Sequence, residues 1–290
     1  MSADVKKIAL YLSSAGFTAK DEKTSSILKE DDGSLIEQNV DGVDIIDEVF
    51  IAEDVKPDTS ALYINRADRC MIIYVTQSNT LGCVERTSAP EDEPEWTEVP
   101  ITGVGTISVS AKSRIAGTNT ADGAQVFFQH SDGSIKSILY DDETKKWEEG
   151  DDVPASAAAG TPLYVMELED AQGLFYLSNE RKICGQLQNN ETGEWKEHLI
   201  PNSFFEDGAS SFILIWDGEQ KAINAYVLAT ATLVHIDGGG GRKVLGKWES
   251  GAFVPDTAAE CGLIINIFIG IFSKLATFRN DITDIMVYSF

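Results

Sequence analysis

The stretch AQVFFQHSDGSIKSILYDDETKKWEEG, from Ala124 to Gly150, decides the fold. Alternating, β-rich residues run from Gln125 to Gln129, a turn falls at Ser131, Asp132 and Gly133, and a second strand runs from Ile135 to Tyr140. A polar turn over Asp141 to Lys145 then leads into Trp147 and a stop at Gly150, which suits a further short strand anchored by its aromatic. Just upstream, SRIAGT (Ser113 to Thr118) supplies a preceding strand. Four short antiparallel strands in about fifty residues is the size of a propeller blade, and a repeat of that period marks such architectures.

The same pattern recurs outward from this stretch. First strands begin near Ile8, Leu62, Ile115, Leu163, Ile213 and Leu275, which predicts six blades in a single all-β domain over residues 1–290. The hairpins that follow read SSILKEDDGSLIE from Ser25, MIIYVTQSNTLGC from Met71, GLFYLSNERKICG from Gly173 and NAYVLATATLVHI from Asn224, and DIMVYSF ends an incomplete last blade. An aromatic follows each of four hairpins at Trp96, Trp147, Trp195 and Trp248, with Phe50 in that role for the first. Helical periodicity sustained over several turns is not expected anywhere in the chain.

A formal charge of -24 spread along 290 residues favours solubility and repels polyanions, so neither nucleic acid nor an anionic membrane is expected as a partner. The apolar run Ile8 to Leu12 is too short for a secretory signal, and Cys261 to Phe272 is too short to span a bilayer. Cys70, Cys83, Cys184 and Cys261 are scattered without metal-ligand spacing, so reduced thiols, no metal and a cytoplasmic location are expected. A homodimer is compatible with this composition. No GxSxG, HExxH or GxGxxG motif is present, and Gly238 to Gly241 lacks the terminus of a phosphate loop, so no cofactor is expected.

The repeated strand, DG hairpin, strand, Trp and Gly resembles the fungal fucose-specific lectins related to the orange-peel mushroom lectin, most clearly in the third blade. The resemblance implies a six-bladed propeller with sugar held between blades. The clamp would be an Arg in the hairpin's first strand, a Glu in its second and aromatics from the neighbouring blade. At the Arg position this chain has Ser25, Met71, Gln125, Gly173 and Asn224, and Met286 or a neighbour in the last blade. The Glu position reads Glu37, Cys83, Ser137, Gly185 and Ile236. Loss of the ionised donor and acceptor argues against an array of fucose sites.

Three functional readings follow. The favoured one is a lectin-like propeller repurposed to bind an apolar small molecule, as a cofactor-independent cyclase, pericyclase or isomerase of fungal secondary metabolism. Met71, Cys83, Gln125, Asn224, Trp96, Trp147 and Trp195 would line its pocket, with Glu37 or His235 handling a proton. The alternative is a fucose-type carbohydrate-binding lectin with few surviving sites, Glu37 carrying one of them. The third is a structural or protein-interaction propeller.

Overall fold

The computed structural model describes residues 2–21, 23–66, 69–87, 95–250 and 252–256. Helix α1 (Ser2–Ser13) comes first, and 21 strands follow in five antiparallel sheets. Blade 1 holds β1 (Gly16–Ala19), β2 (Thr24–Asp31), β3 (Ser34–Asp41) and β4 (Asp44–Ala52). Blade 2 holds β5 (Ala61–Asn65), β6 (Arg69–Val75), β7 (Leu81–Thr87) and β8 (Thr97–Glu98). Blade 3 is β9 (Ile115–Thr120), β10 (Gly123–Gln129), β11 (Ile135–Asp141) and β12 (Lys146–Glu149). Blade 4 is β13 (Leu163–Glu167), β14 (Ala171–Leu177), β15 (Lys182–Asn189) and β16 (Trp195–Phe204). Blade 5 adds a fifth strand: β17 (Ser211–Asp217), β18 (Ala222–Ala229), β19 (Thr232–Ile236), β20 (Arg242–Glu249) and β21 (Ala252–Pro255).

The first strands β1, β5, β9, β13 and β17 neighbour one another in that order, so the blades stand side by side and each packs apolar side chains on both faces. Blade 3 shows why the sequence folds this way. Ala124, Val126 and Phe128 of β10 pack in the cluster shared with blade 2, while Phe127 between them enters the cluster shared with blade 4. A period of two with apolar residues on both phases produces a strand buried on both sides. Gly16 lets the backbones of blades 1 and 2 meet, since a Cβ there would lie 2.1 Å from the Ala61 carbonyl oxygen.

The structure corrects one expectation. The predicted strand at Ile8 is the helix α1, which stands before the all-β blades. Val5, Ile8, Ala9 and Leu12 stand at i, i+3, i+4 and i+7, and all four are buried. Two to three turns of this pattern suffice because the helix is held by its surroundings and not by its own length. It packs in one cluster with Ile27 and Val40 of blade 1 and with Ile213, Tyr226, Leu233 and Leu245 of blade 5. Tyr11 stacks flat on Phe17 at 4.3 Å and donates to Ser25 Oγ at 3.0 Å. The helix thus fills the seam between blades 5 and 1. The described residues form five blades; the start expected near Leu275, the strand DIMVYSF, Met286 and Cys261 lie outside them.

Candidate functional site

The four seams between consecutive blades place the site. In blade 3, Gln125 pairs with Leu139 and Ser137 with Phe127, so Gln125 and Ser137 form a diagonal on the face that looks toward blade 4. The amide Nε2 of Gln125 lies 3.3 Å from Ser137 Oγ. This diagonal is where the resemblance puts the sugar clamp. Its equivalents in blades 2 and 4 are Met71 with Cys83, and Gly173 with Gly185.

In blades 1 and 5 the diagonal differs from the one expected from sequence spacing. Their hairpins leave only two residues between the last ladder pairs, Asp31 with Ser34 and Ala229 with Thr232, whereas blade 3 leaves five between Gln129 and Ile135. Asp32 and Gly33 close the first of these tight turns with φ of 50° and 81°, and Thr230 and Ala231 the other with φ of 44° and 63°. An odd change in spacing moves one member of each pair to the opposite face. The partner of Glu37 is consequently Ser26, not Ser25, which points into the helix seam. The partner of Asn224 is His235, not Ile236, which is buried against blade 4.

Glu37 is the centre of a polar seam between blades 1 and 2. It faces blade 2 and its residue is 1% exposed. The Tyr63 hydroxyl donates to Oε1 at 3.0 Å, and Nη1 of Arg86 approaches Oε2 at 3.4 Å. Burial and the neighbouring Glu37 charge hold the Tyr63 phenol well above its ordinary value, so it stays a donor. Arg86 lies over the ring of Trp96 at 4.6 Å and is partly open to solvent. The indole Nε1 of Trp96 is buried without a hydrogen-bond partner among the described residues. Beside them, burial pushes the Cys70 thiol up to about 12. Blade 1 therefore offers a buried carboxylate, and blade 2 answers with a cation, a phenol and an indole.

The seam between blades 2 and 3 has an Arg near, though not at, the position of Met71 and Cys83. Arg69 opens β6 and meets Glu85 of β7 at 3.2 Å, while its Nη1 also donates to the Tyr140 hydroxyl of blade 3 at 3.1 Å. This diagonal lies one pleat further from the hairpin turn than Met71 and Cys83. Tyr140 rests against Trp147 with ring centroids 5.0 Å apart, and both are buried.

The other expected site residues are spread over several seams. Met71, Cys83 and Trp147 pack in one buried cluster between blades 2 and 3, where burial pushes the Cys83 thiol up to about 12. Trp195 packs at the seam between blades 3 and 4, to which Gln125 also belongs. Asn224 accepts from the Gly238 backbone at 3.2 Å, and His235 lies against Tyr226 at 4.7 Å, on the face of blade 5 covered by α1. Burial lowers His235 to about 4. Among the described residues, Glu37 and Trp96 are brought together by a shared charged partner, Arg86. Sequence reasoning missed Arg86, Tyr63, Arg69 and Glu85. The signal for two of them was the adjacent pair Glu85 and Arg86 in one strand, whose neighbours must face opposite seams.

No family model matches the chain, and no curated protein matches it. Among solved structures, the chain is similar to AofleA from Arthrobotrys oligospora, at 13% identity with a TM-score of 0.62 over 82% of this chain and 73% of that one. The fold is that of a lectin-type β-propeller. The SapL1 lectin, solved in complex with α-methyl fucoside, superposes with a TM-score of 0.59 at 17% identity over 87% of this chain and 84% of its own. The Aleuria aurantia lectin, described as a fungal six-bladed β-propeller with a novel fucose recognition mode, gives 0.58 at 17% identity over 82% of this chain and 80% of its own. At these identities the likeness carries the propeller alone, and the seams must speak for chemistry.

Proposed function

We propose that this propeller binds a carbohydrate at one seam, between blades 1 and 2. The observation that carries the reading is the Glu37 carboxylate, buried yet flanked by Tyr63, by a partly open Arg86 and by the indole of Trp96. A carboxylate and a guanidinium bracket sugar hydroxyls with charge-assisted hydrogen bonds, and an indole covers the apolar face of the ring. The cation comes from the neighbouring blade instead of from the strand beside Glu37, where Ser26 now stands. Arg86 lies on the indole, so a sugar that stacks on Trp96 must move it, and binding is expected to be weak. A fungal sugar lectin with one site is therefore favoured over the repurposed apolar pocket. That second reading loses its lining, because Met71, Cys83 and Trp147 are closed into a packed cluster. A glycan array tests the proposal: wild-type protein should retain a subset of fucosylated or related glycans, and Glu37→Gln should retain none. An array on which the two proteins score alike would reject it.

A further inference from the structure

The outer edges of the described blades are treated differently. In blade 3 the loop before it reaches back, and the Trp147 N–H of β12 donates to the Thr102 carbonyl at 2.8 Å. In blade 4 the guanidinium of Arg242 donates to the Phe204 carbonyl of β16 at 2.8 Å and to that of Asn202 at 3.3 Å. Blade 5 covers β20 with the additional strand β21. Blade 1 ends on β4 with no strand beyond it among the described residues.

Strand β4 is also the most apolar of the bare surfaces. Ile45 is 53% exposed, Ile46 65% and Phe50 56%. Ile46 sits in a bulge, and Phe50 and Ile45 lie on the face turned away from blade 2, which α1 covers only as far as Ile27 and Val40. Phe50, expected in the role of Trp147, stands opposite Ile36; the place that Trp147 takes opposite Tyr140 in blade 3 is held in blade 1 by Ile45, opposite Val40. Residues 30–55 carry ten carboxylates and no Lys or Arg. Asp44, Asp47 and Glu48 of that run are exposed on β4 itself.

A long edge strand with unpaired N–H and C=O groups is a template for another strand. Its charge selects which one. Two copies of β4 laid side by side would oppose carboxylate to carboxylate, which disfavours self-pairing. A strand alternating apolar and basic residues would pair the backbone, cover Ile45, Ile46 and Phe50, and meet the acids with opposite charge. We propose that the edge of β4, open among the described residues, is a docking strand for an extended, cationic segment of a partner protein, added to blade 1 as a fifth strand.

The test uses the full chain and a labelled peptide of alternating Val and Lys, matched to β4 in length, read by fluorescence anisotropy. Saturable binding is expected, weakening at least tenfold between about 0.05 and about 0.5 M salt as screening shortens the reach of the acids. The double change Ile46→Ser and Phe50→Ser, at exposed positions that leave the blade folded, should weaken it at least tenfold. The same peptide N-methylated at alternate residues cannot complete the ladder and should lose binding to a similar extent. Absence of saturable binding would overturn the proposal. Equal binding of the N-methylated peptide would overturn it too, since attraction without strand addition would then suffice. So would a dimer of the chain alone in sedimentation that Ile46→Lys dissolves, because the occupant would then be a second copy.

Discussion

At the seam between blades 1 and 2 the diagonal pair is Ser26 and Glu37, and the next blade sends Tyr63, Arg86 and Trp96 toward it. At the seam between blades 4 and 5 the same diagonal is Gly173 and Gly185. A Cβ on Gly185 would stand 2.5 Å from the Phe175 ring, and one on Gly173 2.7 Å from it. Two glycines thus admit a phenyl ring into the space that Ser26 and Glu37 fill in blade 1, and Phe175 becomes fully buried core. The seam between blades 2 and 3 takes a middle course: Met71 and Cys83 fill the clamp position, and the charged pair Arg69 and Glu85 is displaced outward by one pleat. The comparison teaches that one backbone position carries a polar cluster or a plug according to what its two side chains leave room for. Propeller seams can be closed singly without disturbing the ring.

The largest effect expected from this contrast is at the plug. Phe175→Ala should cost about 3–5 kcal/mol in denaturant unfolding, the range for a large core residue, and leave sugar binding as it was. Loss of binding with retained stability would invert the assignment of the two seams. Next is acid. His235 is lowered to about 4 by burial under α1, so the unfolded chain takes up its proton first. Its contribution is complete above the unfolded value near 6.5 and is lost as pH falls through 4, roughly 3 kcal/mol in all. His235→Gln should flatten that limb of the stability curve, and a curve unchanged in shape would remove His235 from the account. Tyr63→Phe takes one donor from the buried Glu37 and should cost about 1–3 kcal/mol. Equal stability of the two proteins would mean that another donor serves Glu37. Smallest is Gln125→Ala, at a seam where the amide meets only Ser137 at 3.3 Å: about 0.5–1.5 kcal/mol by unfolding, and no change in ligand binding.

Much of the fold was legible because apolar alternation, DG turns and spaced tryptophans are local signals. The starts at Leu62, Ile115, Leu163 and Ile213 fall in β5, β9, β13 and β17. Helix α1 was misread because the short apolar run Ile8 to Leu12 also suits a strand; the pattern that distinguishes the two spans only Val5 to Leu12. The clamp partners were misread in blades 1 and 5 alone, where two-residue turns change the spacing and hence the face. Arg86 could not be assigned to Glu37 from order along the chain, since 49 residues and a blade boundary separate them. Which blade faces which is a property of the ring, and no short stretch of sequence carries it.

The most direct test of the central claim is the stoichiometry of sugar binding. Titration calorimetry with α-methyl fucoside, or with the best glycan from the array, should give one weak site per chain, absent in Glu37→Gln and in Trp96→Ala and unchanged in Phe175→Ala. Several equivalent sites per chain, or a single site that survives both Glu37→Gln and Trp96→Ala, would contradict it.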